Sequence, residues 1–288
     1  MPFLNCPDGT KLHYEEAGAG QPIVFVHEFL GDIAAWEPQL RYFSRRYRCI
    51  AFNARGYPPS DVPQRVEEYS YEQQRAGILA VLDGLGLAHA HIVGLSMGAF
   101  ASFYFGMKWP RRALSLTLAG IGSGSEARSQ FRAESEAAAE GLLRDGWPAC
   151  VEARTLTPTR VQYRNKDPRG FAEFVARVTQ HSAQGSALTL KGYQALRPSL
   201  SGFAEEMAAS TVPTLILCGD EDEPCLDVSL MLKRGMPAAS LMLFPRTGHA
   251  VNLEEPDLFN LACERFFHQV ESGQYGMRDP LARTAKMI

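Results

Sequence analysis

From Leu85 to Met107 the chain carries no Asp, Glu, Lys or Arg. A stretch this long without charge belongs inside protein or inside lipid. His89, His91, Ser96 and the glycines Gly86, Gly94, Gly98 and Gly106 interrupt it, which suits a buried strand running into a buried helix better than a membrane span. At its centre, Gly94-Leu95-Ser96-Met97-Gly98 lies between the apolar His91-Ile92-Val93 and a helix-compatible segment from Met97 to Trp109. Gly-x-Ser-x-Gly between strand and helix is the pattern of a nucleophile elbow. Its turn is tight enough to strain the serine backbone, and its glycines keep side chains clear of the crossing strand and helix. A glycine-rich turn that merely contains a serine has the same five letters, so the rest of the chain must decide.

Apolar runs and helical patterns alternate around this stretch. Phe3 to Cys6 and Lys11 to Glu16 flank the turn signal Pro7-Asp8-Gly9 and predict a hairpin. Pro22 to His27, Arg48 to Asn53, His89 to Val93, Leu114 to Ala119, Val212 to Cys218 and Leu241 to Phe244 read as further strands. Helical patterns fall at Gly31 to Tyr47, after the capping box Ser70-Tyr71-Glu72-Gln73, after the elbow, and from Pro256 to Val270. This alternation predicts an α/β fold with a mostly parallel, doubly wound, eight-stranded sheet. It breaks between Ser123 and Ala209, where Glu134 to Leu143, Phe171 to His181 and Leu188 to Leu196 are helical and no strand is evident. The expected organisation is therefore a core of residues 1–122 and 210–272, a helical insertion at 123–209, and a loose tail at 273–288.

Composition excludes several functions. Of 288 residues, 45% are hydrophobic and 21% charged, with a formal net charge of −3; nothing there draws nucleic acid or an anionic membrane. Cys6, Cys49, Cys150, Cys218, Cys225 and Cys263 show no CxxC spacing, which disfavours zinc and suits reduced thiols in the cytoplasm. The first residues lack a basic start followed by an apolar core, so no secretory signal is expected. No metal and no cofactor is expected. The expected partner is a small-molecule substrate, and a homodimer stays open.

A serine hydroxyl is a weak nucleophile at neutral pH and needs a histidine base that a carboxylate orients. Val212 to Cys218 is followed by Gly219-Asp220-Glu221-Asp222, and Leu241 to Phe244 by Thr247-Gly248-His249. In a parallel sheet these groups and Ser96 emerge at the carboxyl edge, where such sheets bind ligands. The chain order of serine, acid, histidine matches that architecture. Both Asp220 and Asp222 can supply the acid on this reading. His27 reads as a structural histidine, and His89 and His91 find no third metal ligand nearby. Cys218 and Cys225 read as packing.

With Val26-His27, Asn53-Ala54-Arg55-Gly56-Tyr57, Gly94 to Gly98, Gly219 to Asp222, Gly248-His249, Glu254 and Pro256 in place, the chain resembles the α/β-hydrolase superfamily. The resemblance lies with its lid-bearing branch of small esterases, lactonases, carbon–carbon bond hydrolases and cofactor-free perhydrolases. It implies Ser96 as nucleophile, Asp222 rather than Asp220 as acid, and His249 as base. It also implies an oxyanion hole made by the backbone amides of Met97 and Phe29. Relatives mostly carry Gly after the first histidine where this chain has Glu28. A carboxylate aimed at the oxyanion would oppose catalysis, so Glu28 is expected to turn away from the pocket.

The insertion is expected to cover the site, with Trp36, Trp147, Phe174 and His181 as wall residues. The cluster Arg160, Arg164, Lys166 and Arg169 is either a carboxylate reader or a solvated surface. The leading activity is hydrolysis of an ester or related acyl bond. The alternatives are a carbon–carbon (diketone) hydrolase or lactonase with the same triad, and, in another class, a low-turnover ligand sensor.

Overall fold

The computed structural model describes residues 2–283. Eight strands, β1 (Phe3–Asn5), β2 (Lys11–Ala17), β3 (Gln21–Val26), β4 (Tyr47–Phe52), β5 (Ala90–Leu95), β6 (Ala113–Ala119), β7 (Thr214–Gly219) and β8 (Ala239–Phe244), form one sheet in the order β1-β2-β4-β3-β5-β6-β7-β8. β1 and β2 are antiparallel additions at one edge, and β3 through β8 run parallel. In β3, Ile23 and Phe25 enter one apolar cluster while Val24 and Val26 enter another. Strand side chains alternate between faces, so an unbroken apolar run marks a strand covered on both.

The covering helices follow from that. α2 (Tyr71–Gly84), α3 (Met97–Lys108) and α9 (Glu223–Gly235) pack on one face, burying Ile78, Phe100, Phe103, Val228 and Leu232. α1 (Glu37–Phe43) and α11 (Pro256–Glu271) pack on the other, with Leu40, Phe43, Phe259 and Phe267. The capping box at Ser70 and Gln73 forms as expected and starts α2. α9 has no counterpart in the sequence expectation, although Cys225, Val228, Ser229 and Leu232 recur at helical spacing on its buried side. The short α10 (Val251–Glu254) was likewise unmarked.

Between β6 and β7 every regular element is helical: α4 (Arg128–Thr155), α5 (Val161–Lys166), α6 (Pro168–Thr179), α7 (Ala183–Leu188), a π-helical stretch Thr189–Gln194, and α8 (Ala204–Ala209). α4 breaks at Gly146 (φ 73°, ψ 173°), so Pro148 sits in the first turn of its second half, where a missing N–H costs nothing. A third apolar cluster, containing Leu142, Trp147, Phe174 and Val178, joins these helices to Leu30 and Ala250 of the core.

The tail is less loose than expected. The Tyr275 hydroxyl donates to Thr214 O (3.0 Å) and its ring packs on Phe266, while Arg278 N donates to Pro237 O (2.9 Å). An aromatic ring with a polar tip ties this segment to the β7–β8 side of the sheet. Residues 284–288 of that tail lie outside the described residues. Among the described residues no helix is long and apolar enough to cross a membrane.

Candidate active site

Ser96 joins β5 to α3 with φ 53° and ψ −115°, a backbone region that a side-chain-bearing residue enters only under constraint. The constraint is steric. A Cβ on Gly94 would lie 2.4 Å from Gly98 O, and one on Gly98 would lie 2.1 Å from Val26 O. Only glycine at both positions lets α3 close on β3 and β5. Ser96 N donates to Ala119 O (2.8 Å), which pins the turn to β6 and leaves the serine partly exposed above the sheet.

Asp222 and His249 come from the ends of β7 and β8. His249 Nδ1 bonds Asp222 Oδ2 at 2.7 Å; Asp222 is fully buried and His249 is 6% exposed. Burial alone would push the His249 imidazole down, but the charge and hydrogen bond of Asp222 hold it above its ordinary 6.5. Burial would likewise raise the Asp222 carboxyl, and the His249 charge holds it below the usual carboxylate range. The His249 ring packs over Gly120, the residue after the carbonyl that receives the Ser96 amide. Among the described residues no hydrogen bond joins the Ser96 hydroxyl to that ring. Asp220, the competing acid, instead accepts from Thr247 N (3.1 Å) and braces the histidine loop.

The two expected oxyanion amides are held from behind. Glu28 O accepts from His27 Nδ1 (2.6 Å) and Gly31 N (3.1 Å), so the Phe29 N–H of the same trans peptide faces the opposite way. Ser96 O accepts from Phe100 N (3.0 Å) within α3, which fixes the Met97 N–H at the first helical position, where no intrahelical partner exists. His27 also accepts from Ala54 N at Nε2 (3.0 Å). Its ring is therefore neutral with the proton on Nδ1, and burial pushes its pKa down to about 4. The structural reading of His27 stands. Asn53 likewise serves structure, its Oδ1 accepting from Ile33 N and its Nδ2 donating to Pro58 O.

Glu28 does not line the cavity at Ser96, yet it does not reach solvent either. Both of its oxygens pair with Arg160, which follows α4, and both residues are buried. Arg160 is thus neither solvated surface nor a free carboxylate reader. Lys166 pairs with Glu255, and Arg169 with Glu173.

Ser96 and Phe29 open onto a cavity of about 270 Å³, also lined by Leu30, Phe131, Leu190 and Arg197. The four expected wall residues are not among its lining. Trp36 is packed under the sheet against Phe25 and Phe259. Trp147 and Phe174 fill the helical cluster, the Trp147 indole donating to Ser186 Oγ (3.2 Å). His181 is wedged between Tyr57 and Trp147. Large aromatics suit packing as well as ligand contact, and the interior between helices claimed them. The true lining includes Ser123, Glu134, Arg154, Gln194 and Arg197, none singled out by sequence. No local signal marked them, since residues 123–209 carry many other charged side chains.

Asp222, Cys225 and His249 bring one donor atom each within 4.8 Å. His249 Nδ1 is already engaged by Asp222, and burial holds the Cys225 thiol well above its ordinary value, so it offers a neutral sulfur. His91 bridges Ser115 Oγ and Glu271, while His89 is exposed and precedes β5.

A family model described as alpha/beta hydrolase fold matches residues 21–256. A 2-hydroxy-6-oxononadienedioate/2-hydroxy-6-oxononatrienedioate hydrolase of Paraburkholderia phymatum is 29% identical over 93% of this chain and 95% of its own. 3-Oxoadipate enol-lactonase 2 of Acinetobacter baylyi is 26% identical over 88% and 92%. Among solved structures, the enol-lactonase from Burkholderia xenovorans LB400 superposes with a TM-score of 0.81 at 21% identity, covering 93% of this chain and all of that one.

Proposed function

We propose, from the premise that this chain belongs to the alpha/beta hydrolase fold family and is a hydrolase, that it cleaves an ester or related acyl bond through an acyl-enzyme on Ser96. The observation that carries the reading is the buried 2.7 Å bond from His249 to Asp222, on the same edge as a serine held in a strained turn above a cavity. His249 Nε2 takes the Ser96 proton as Oγ attacks the carbonyl carbon. The developing oxyanion sits against the Phe29 and Met97 amides, where fixed donors aimed at new charge contribute most. The intermediate collapses, the C–O bond breaks, and His249 returns the proton to the leaving alcohol. Water then attacks the acyl-enzyme with His249 again as base, releasing the acid and free Ser96. The helices between β6 and β7 serve as the lid.

The test is covalent labelling by a fluorophosphonate together with turnover of 4-nitrophenyl esters. Labelling and turnover that vanish in Ser96→Ala support the reading; an unlabelled wild type that hydrolyses no activated ester overturns it. Carbon–carbon cleavage is the second reading, favoured by the name of the 29% identical relative. Release of an acid from a vinylogous diketone at a higher kcat/KM than from any ester would replace the first reading with the second.

A further inference from the structure

Resting on this acyl-transfer reading, we propose that the cavity selects substrates whose acyl group ends in a carboxylate, and that Arg197 binds that carboxylate. Arg197 lines the same cavity as Ser96 and is only 3% exposed. Among the described residues no carboxylate lies within 4.0 Å of it. A buried cation without a counter-ion is costly, and protein interiors rarely leave one so.

What holds the guanidinium is neutral. One nitrogen donates to Ser123 O (2.5 Å), and the group stacks on Phe100 with 3.7 Å to the ring centroid and on Phe131 with 4.9 Å. These contacts orient the plane and leave the charge uncancelled, with further N–H groups to offer. Nearby Arg128 adds a second cation, bound to the carbonyls of Gly124, Gln194 and Ala195 and, among the described residues, to no acid. Burial pushes the Arg197 pKa down to about 10, so the group stays charged at neutral pH.

Gln194 supplies a second sign of a missing ligand. It lines the cavity, is 6% exposed, and its amide oxygen has no partner. Buried amides are seldom left unpaired. Its N–H₂ is the neutral donor assigned to the second oxygen of a carboxylate held by Arg197. Leu30 and Leu190 line the same cavity and suit a methylene chain. The carboxylate of the cavity itself, Glu134, is exposed and bonded to Gln130, and Arg154 offers it a neighbour of opposite sign on the same lining. About 270 Å³ is at the small end for a ligand site, which limits the acyl group to a short chain.

The chemical arm of the test compares the 4-nitrophenyl monoester of glutaric acid with 4-nitrophenyl pentanoate, near-equal in length and differing in the terminal charge. Wild type is expected to favour the charged ester at least tenfold in kcat/KM, Arg197→Lys to keep part of that preference, and Arg197→Gln to lose it. Equal or better use of the neutral ester by wild type overturns the proposal, as does an unchanged preference in Arg197→Gln. The binding arm needs no turnover. Monomethyl glutarate, but not methyl pentanoate, is expected to raise the melting temperature of Ser96→Ala, and the shift is expected to disappear in Ser96→Ala/Arg197→Gln. A shift that persists in the double variant, or its absence in Ser96→Ala, counts against the proposal. Failure of wild type to hydrolyse either ester sinks the acyl-transfer reading instead, while the binding arm still decides the carboxylate site.

Discussion

On the proposed mechanism His249 serves as a base only while neutral, and Asp222 makes that form harder to keep. Its pKa lies above 6.5 despite burial, because the buried carboxylate stabilises the imidazolium more than burial penalises it. The kcat/KM for an activated ester is therefore expected to rise with pH through one ionisation placed above 6.5. Asp222→Asn removes the negative charge, so the midpoint is expected to move down while kcat falls by roughly four orders of magnitude. A variant midpoint identical to that of wild type would assign the ionisation elsewhere. The placement of Ser96, Asp222 and His249 at one sheet edge was legible because each sits in a short motif at a strand end. Glu28 was legible only in part: chemistry said it must avoid the oxyanion, but nothing local named Arg160, 132 positions away, as its partner.

At the scale of elements, the Glu28–Arg160 pair joins the oxyanion loop to the helices that follow β6, and the connection continues through Thr159, whose carbonyl accepts from His249 N (2.7 Å). Loop, helical segment and His249 thus share one anchor. Glu28→Gln strands a buried cation and is expected to cost about 3 kcal/mol, measured by urea denaturation. Pairing it with Arg160→Met is expected to recover most of that loss, and a single variant within 0.5 kcal/mol of wild type, roughly the spread of unimportant surface changes, would remove the anchor from the account. The elbow makes a second prediction. Gly98→Ala drives a methyl group into Val26 O and is expected to destabilise by about 3 kcal/mol or to prevent folding. Helices here were legible wherever caps or apolar spacing were strong, as at Ser70. α9 was passed over because its start is also the acid loop, and the loop signal masked the helical one.

For the whole molecule, the buried neutral His27 makes stability depend on pH. Its folded pKa of about 4 lies below the ordinary 6.5, so the unfolded chain binds a proton that the folded one refuses. Stability is then full above pH 6.5 and declines as pH falls toward 4, by about 3 kcal/mol from this group. His13 and His91, also shifted down by burial, act in the same direction. Denaturation at pH 7 and pH 4 is expected to show His27→Gln losing about 3 kcal/mol less than wild type across that interval. Equal losses would place the acid sensitivity in other groups.

The division between what was legible and what was not follows the range of the forces involved. Alternating apolar runs, caps and the glycines of the elbow act within a few residues, so the sequence alone determined the α/β order, the sheet with its carboxyl edge, and the emergence there of Ser96, Asp222 and His249. The cavity depends on how a broken α4 and five further helical stretches turn their faces over that edge. Trp36, Trp147 and Phe174 gain more from dense packing than from a wall, and long-range packing settled that choice. Arg197 shows the converse. In sequence it is one cation among many, and only tertiary structure buries it on the cavity that Ser96 shares, with no carboxylate within 4.0 Å among the described residues.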